Sequence, residues 1–176
     1  MAGTGSQGYN GDGGLAINAE LNKPNGVFVD PSGSIFIADT ENHCIRRVDV
    51  SSLVITTVAG TPETKGYAGD GGPATAALLE EPQDVFVDAA GNIFIADTDN
   101  HVIRVVCAHD GTIHTLAGDG NRGYNGDDLP AVTAELNKPA GIVMATIRGG
   151  RKIFISDQDN DRIRMLTLRP VPEIPY

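Results

Sequence analysis

The chain has 176 residues, of which 40% are hydrophobic and 22 are glycine, and its formal net charge is −10. This length falls within the range of one domain and is sufficient to bury a core. The acidic balance argues against nucleic acid or an anionic membrane as a partner, because both require a basic patch. No apolar stretch is long enough to span a bilayer.

The first third of the chain contains a glycine-rich segment followed by four short runs with strand character. These runs cover residues 26–30, 34–39, 42–48 and 54–59. The second run is almost continuously apolar, which is typical of a strand buried on both faces. Pro31, Ser32 and Gly33 form a turn cluster between the first two runs. The pattern predicts four antiparallel strands joined by short turns.

The same unit returns twice further along the chain. Its tyrosine, at Tyr9, Tyr67 and Tyr124, recurs at intervals of about 58 residues. The run Ile-Phe-Ile-Ala-Asp-Thr at 35–40 is identical at 93–98 and becomes Ile-Phe-Ile-Ser-Asp-Gln at 153–158. Repeats of this length are the signature of stacked or radially arranged units.

Radial repetition of four-stranded antiparallel units predicts an all-β fold, a β-propeller of three blades that forms half of a six-bladed ring. We expect blade 1 at about 24–60, blade 2 at about 82–118, blade 3 at about 139–169, and a Pro-rich tail at 170–176. The third blade should have three strands within the chain, because proline cannot supply ladder donors. Residues 148–151 should lengthen its first hairpin, and residues 1–3 are typical of the end of a fourth strand. We therefore expect a piece of a longer propeller, truncated at its N-terminus, or half of a ring closed by a second copy.

The run Pro-x-Gly-Val-x-Val-Asp, followed by Gly-x-Ile-x-Ile-Ala-Asp-Thr-x-Asn-His-x-Ile-Arg, resembles the NHL repeat. The resemblance covers nearly the whole chain. It implies a propeller, commonly six-bladed, and a protein-binding scaffold as the function. Some similar propellers hold a metal in the central channel and act as lyases, lactonases or esterases, so the resemblance also leaves an enzymatic alternative.

Strand direction predicts that the Gly-Tyr-x-Gly-Asp loops and the Asp-Thr-x-Asn-His turns lie on one face. Loops held by a rigid scaffold commonly carry binding residues. The candidate binding residues on this face are Asp12, Glu41, Asn42, His43, Asp70, Asp99, Asn100, His101, Asp127, Asp128, Asp159 and Asn160.

A structural role is the competing interpretation, because residues repeated in every blade are typical of architecture rather than catalysis. The repeated pairs would be ion pairs within each blade. They are Asp39 with Arg46, Asp97 with Arg104, and Asp157 with Arg164. The sequence contains no nucleophile elbow, and we predict no catalytic residue.

No cofactor is predicted. Calcium remains an alternative at the oxygen-rich loops 10–13 and 127–128, although the closing Glu of an EF-hand is missing. Zinc is disfavoured, because His43 and His101 belong to different blades. Cys44 and Cys107 fall at different places in the repeat, so we expect two free thiols. The leading hypothesis is a non-catalytic interaction scaffold whose partner is a protein or a second copy. A metal-dependent lyase or hydrolase and a structural subunit of a larger assembly are the alternatives, and the compartment is left open.

Overall fold

The computed structural model describes residues 1–147 and 150–168, and this part of the chain contains strands, loops and 3₁₀ turns but no α-helix. The strands are β1 (Val27–Val29), β2 (Ile35–Asp39), β3 (Cys44–Val48), β4 (Ile55–Ala59), β5 (Pro82–Val87), β6 (Ile93–Asp97), β7 (Val102–Val106), β8 (Ile113–Ala117), β9 (Pro139–Ile147), β10 (Gly150–Asp157) and β11 (Arg162–Thr167). The 3₁₀ turns are Ala16–Asn18, Thr40–Asn42, Ala74–Ala76, Thr98–Asn100, Ala131–Thr133 and Gln158–Asn160.

The strands form three antiparallel meanders in chain order. The first sheet contains β1 to β4, the second β5 to β8, and the third the three strands β9 to β11. We call each sheet, together with the connector that precedes it, a blade. The expected all-β, propeller-type fold is confirmed, and the third sheet has three strands within the described residues. The Pro-rich tail at 170–176 lies outside those residues.

Aspartate-based turns close the first hairpin of the first two blades. The Asp30 carboxylate accepts the backbone N–H groups of Ser32 and Ser34 at 2.8 and 2.9 Å. Asp88 repeats the arrangement in the second blade. The third blade instead extends its strands until Ile147 pairs with Gly150, so its first hairpin is longer. Residues 148 and 149 of that hairpin lie outside the described part of the chain.

The core lies between neighbouring sheets. Phe36, Ala38 and Ile45 of the first sheet pack in one buried cluster with Val85 and Val87 of the second. A second cluster joins the second sheet to the third, and its members include Phe94, Ile103, Ile142 and Ile155. Each blade therefore depends on its neighbour for burial of its apolar faces, as in other repeat proteins.

The first two connectors each pack on the outermost strand of the sheet that follows them. The Ile55 backbone donates to the Gly14 carbonyl at 3.0 Å and accepts from the Gly13 N–H at 2.9 Å. Ile113 is held in the same way by the second connector. In these two blades the contact places the Gly-Tyr-x-Gly-Asp loop of the connector beside the third strand of its own sheet.

Candidate functional site

A buried arginine lies between two aspartates in the first blade. Arg46, on β3, contacts Asp39 at the end of β2 with an N–O distance of 3.3 Å, and it contacts Asp12 of the connector at 2.6 Å. The side chains of Arg46 and Asp39 are both 0% exposed. Because buried charges require partners, the two carboxylates are what allow this guanidinium to lie inside the blade.

The other two blades repeat this arginine cluster. Arg104 contacts Asp97 at 3.4 Å and also pairs with Asp70. In the third blade Arg164 contacts Asp157 at 3.2 Å and Asp127 at 3.0 Å. The expected pairing of the strand aspartate with the strand arginine is therefore present in all three blades. The second aspartate of each cluster comes from the candidate binding residues.

A tyrosine covers each arginine. The ring centroid of Tyr9 lies 4.6 Å from the Arg46 guanidinium, which is a cation–π distance. The Tyr9 hydroxyl donates to Asp12 at 3.0 Å and lies 2.9 Å from the Thr57 hydroxyl on β4. Tyr67 and Tyr124 occupy the same position in the second and third blades. The sequence predicted that these loops and turns lie together, but it did not predict the aromatic cover.

In each blade an asparagine joins the connector loop to the turn that follows the second strand. The Asn42 amide donates to the Gly8 carbonyl at 2.9 Å and to Asp39 at 2.8 Å. Asn100 and Asn160 make the same two bonds in their own blades. Both amide hydrogens are thus used within the blade, and a binding role for these three candidate residues stays a prediction.

The two histidines lie at the junctions between blades. His43 and His101 adopt left-handed backbone conformations with φ of 56° and 59°. The His43 ring accepts the Glu81 N–H at 3.2 Å, and the His101 ring accepts the Lys138 N–H at 3.1 Å. Burial lowers the pKa of His101 and so favours the neutral ring that accepts this bond.

The remaining candidate residues are half-buried or exposed. Glu41 pairs with Lys23 at 3.0 Å, and Asp99 pairs with Lys138 at 3.2 Å. Asp128 and Asp159 are exposed. Their binding role stays a prediction.

Each arginine cluster has an inner aspartate, at the end of the second strand, and an outer aspartate, in the connector. The pKa values of the two are shifted in opposite directions in the first two blades. Burial raises the pKa of Asp39 and raises the pKa of Asp97 to about 7. Burial also acts on Asp12, but the Thr57 N–H and the Arg46 charge together hold the pKa of that carboxyl below its usual value. Hydrogen bonds from Thr115 and the charge of Arg104 likewise lower the pKa of Asp70 against the effect of burial.

The third arginine cluster is the most open. The Asp127 side chain is 62% exposed and that of Asp12 is 33% exposed, while Arg164 is 12% exposed and Arg46 is 0% exposed. Beside β11 lies a cavity of about 310 Å³, lined by residues that include Asp127, Arg164 and Leu166. In the first two blades the fourth strand fills this position, and the described residues of the third sheet supply no strand there.

Residues 1–147 and 150–168 contain no group of three or more His, Cys, Asp or Glu side chains arranged to hold a metal ion. At the loop considered for calcium, the Asp12 carboxylate is bound by Arg46, Tyr9 and Thr57. Within the same described ranges, no helix is long and apolar enough to cross a membrane.

Comparison with known proteins gives matches to NHL-repeat proteins and propeller-like structures. The family model "Teneurin NHL domain" matches residues 3–67. Protein SUPPRESSOR OF QUENCHING 1, chloroplastic, of Arabidopsis thaliana is 31% identical over 156 residues, which are 86% of this chain and 14% of that protein. NHL repeat-containing protein 2 of Bos taurus is 27% identical over 179 residues, covering 89% of this chain and 24% of that protein.

A solved structure supports the fold. An auxiliary nutrient binding protein from Bacteroides ovatus superposes with a TM-score of 0.68 at 24% identity, covering 86% of this chain and 38% of that chain. The chain thus spans less than two fifths of that structure and a quarter or less of the two curated relatives. The repeated motif, the antiparallel blades and these matches identify the chain as an NHL-repeat protein of the β-propeller type.

Proposed function

We propose that the chain is a non-catalytic interaction module whose partners dock on the apolar faces at the two ends of its row of blades. The observation that carries the proposal is a difference in solvent exposure between equivalent residues of different blades. Val27 of the first blade is 65% exposed, whereas Val85, at the same position in the second blade, is 2% exposed. At the opposite end Ile163 is 71% exposed, and its equivalent Ile103 is 0% exposed.

These exposed residues form two surfaces of complementary type. The first end face consists of Val27 and Val29, and the second end face of Val143, Ile163 and Met165. Between successive blades, the residues equivalent to those of the two end faces pack against each other. Ile45 lies in one cluster with Val85, and Ile103 lies in one cluster with Ile142. Exposed apolar patches of this kind mark interaction sites. A blade of the same type is the partner that fits either face.

Polar groups at the blade junctions support the same docking mode. The Thr40 and Thr98 hydroxyls each donate to the carbonyl of the proline that begins the next sheet, both at 2.8 Å. At the open end Asp161 has the left-handed conformation of the junction histidines, with φ of 52°. At the other end Lys23, with φ of 47°, corresponds to Glu81 and Lys138. Asp161 and Lys23 are also opposite in charge, which favours a head-to-tail contact between two copies.

The test is the mass of the particle in solution, measured by native mass spectrometry and light scattering over a range of concentrations. We expect self-association that Val27→Asp and Ile163→Asp each abolish. Thr56→Asp, an exposed change on β4 away from both end faces, is the matched control and should associate like the parent chain. A particle that stays monomeric at every concentration, or that associates equally well in all three variants, would contradict docking through these faces.

Metal analysis of the purified chain separates this function from the metal-dependent lyase or hydrolase alternative. The interaction module should carry no stoichiometric divalent metal after dialysis against a chelator. A metal retained at one equivalent per chain would replace the proposed function with the enzymatic one.

A further inference from the structure

We propose that Asn10 is a modification site, where the fold directs an asparagine side chain onto the backbone nitrogen of the next residue and so promotes spontaneous deamidation. The Gly11 N–H donates to the Asn10 Oδ1 atom at 2.7 Å. Because a carbonyl bond is about 1.23 Å long, the Asn10 Cγ atom lies at most about 3.9 Å from that nitrogen. The Cβ–Cγ torsion of asparagine is soft, and glycine has no Cβ atom to obstruct the approach. The inference goes beyond the proposed interaction function.

The reaction needs only water. The Gly11 nitrogen loses its proton and attacks the Asn10 Cγ atom, so that a Cγ–N bond forms and the Cγ–Nδ2 bond breaks. The Nδ2 nitrogen leaves as ammonia with the proton, and a cyclic imide remains. Water then adds to one of the two imide carbonyls, and the ring opens to aspartate or isoaspartate. The sequence of steps is a hydrolysis, so nothing is oxidised or reduced.

The fold of the connector leaves the Asn10 side chain without another task. The Glu20 N–H donates to the main-chain carbonyl of Asn10 at 3.3 Å, and the Leu78 N–H donates in the same way to Ala68 at 3.2 Å. Because the second connector makes this bond with an alanine, the loop forms without a side-chain amide at the position. The Asn10 amide is therefore able to turn towards its own Gly11.

The third connector has the same five residues, Gly-Tyr-Asn-Gly-Asp at 8–12 and 123–127, but its asparagine is bound differently. The Glu135 N–H donates to the Asn125 Oδ1 atom at 2.9 Å, and the Asn125 Nδ2 atom donates to the Thr133 carbonyl at 2.9 Å. Attack by the Gly126 nitrogen requires that these bonds break first. Asn10 and Asn125 are both exposed, so access to water does not distinguish them. We expect Asn10 to react faster in the folded chain.

A further Asn-Gly pair, Asn25 and Gly26, is held in the first sheet. The Asn25 N–H donates to the Ala38 carbonyl at 3.0 Å, and the Gly26 carbonyl accepts the Ala38 N–H at 2.9 Å. These two bonds fix the backbone on both sides of the reacting nitrogen. We therefore expect slow conversion of Asn25 as well.

The product would alter the first arginine cluster. The main-chain carbonyl of Asn10 accepts a hydrogen bond from the Arg46 guanidinium at 3.4 Å. In isoaspartate the chain continues through the former side chain, so this carbonyl becomes a free carboxylate and the backbone gains one carbon. Either product also adds a negative charge two residues before Asp12, which binds the same arginine. Deamidation thus acts where the connector is fixed to the blade.

The experiment follows the full chain during incubation at mildly alkaline pH, with peptide mass spectrometry that assigns each replacement of NH2 by OH to a residue. In the folded chain Asn10 should convert about tenfold faster than Asn125, because reaction at Asn125 first costs two hydrogen bonds. The chain unfolded in urea is the matched control, in which the two identical pentapeptides should convert at similar rates. Ala68→Asn places the same pentapeptide in the second connector, and the introduced side chain should convert at a rate close to that of Asn10.

Three outcomes would contradict the proposal. Equal rates at Asn10 and Asn125 in the folded chain, or a faster Asn125, would overturn it directly. A preference for Asn10 that persists in urea would assign the difference to sequence outside the pentapeptide rather than to the fold. Conversion in the Ala68→Asn chain as slow as that of Asn125 would show that the bond to the main-chain carbonyl does not release the side chain for reaction.

Discussion

Asp84 joins the second blade to the third, because its carboxylate accepts the backbone N–H of Ile142 at 2.9 Å. The same carboxylate accepts the N–H of Val85 at 2.9 Å. The equivalent residues of the other blades are Gly26 and Gly141, so this polar link breaks the repeat. Gly26 of the first blade packs closely against Asp84, and a Cβ atom added to Gly26 would lie 2.6 Å from the Asp84 carboxylate.

Replacing Asp84 with alanine should lower the free energy of unfolding by about 1–3 kcal/mol, since the Ile142 N–H loses its acceptor. Asp84→Asn keeps an acceptor oxygen and should cost less. Urea denaturation of both variants measures the difference. Equal stability of the alanine variant and the parent chain would show that the link between blades contributes nothing.

Removing the buried arginine of the second blade should lower the free energy of unfolding more than removing its counterpart in the third blade. Arg104→Met leaves Asp97 buried without its charge partner, which typically costs about 3–5 kcal/mol. Arg164→Met should cost less, because Arg164 and Asp127 are already in partial contact with solvent.

An exposed ion pair is the control for this comparison. Lys65→Met removes the contact with Glu80 and should change stability by about 0–1 kcal/mol. Denaturant unfolding of the three variants ranks the costs. A loss for Arg164→Met as large as that for Arg104→Met would contradict the role of burial.

The pH dependence of stability should reveal the inner aspartate. The pKa of Asp97 is raised to about 7 in the folded chain, against about 3.9 for an unfolded Asp, so protonation stabilises the fold. This contribution is complete below about pH 4 and is lost as the pH rises towards about 7. The unfolding free energy of the parent chain relative to Asp97→Asn should therefore fall over that range.

The outer aspartate should behave with the opposite sign. The pKa of Asp12 is lowered in the folded chain, so its contribution is present above the unfolded pKa and is lost as the pH falls through the folded pKa. Stability of the parent chain relative to Asp12→Asn should thus decline on acidification below about pH 4. Parallel pH curves for the parent chain and both variants would show that neither carboxyl titrates differently on folding.

The two cysteines should differ in reactivity. Both are free thiols, as the sequence predicted, but Cys44 is buried and Cys107 is half-buried. Burial raises the pKa of the Cys44 thiol, which suppresses the reactive thiolate. A thiol reagent should label Cys107 in the native chain and Cys44 only after unfolding, as mass spectrometry of the labelled peptides would show. Fast labelling of native Cys44 would contradict its placement in the core.

Much of the site could be predicted from local sequence, because its parts recur in each blade. The pairing of Asp39 with Arg46 follows from their places on two adjacent antiparallel strands. The contribution of Asp12 was harder to foresee, since the connector brings it to Arg46 from 34 residues away along the chain. The contact of Tyr9 with Thr57 was not predicted, because it depends on how the connector folds onto β4.

The sequence alone determined the repeat, the antiparallel strands and the identity of the blade, because periodic apolar residues and turn motifs act over short distances. Tertiary structure alone decided which equivalent residues are core and which are surface. Val27 and Val85 occupy the same motif, yet one lies on an end face and the other is packed between two sheets. Burial in an array depends on the neighbour of each unit, and no pattern within one unit encodes whether that neighbour is present.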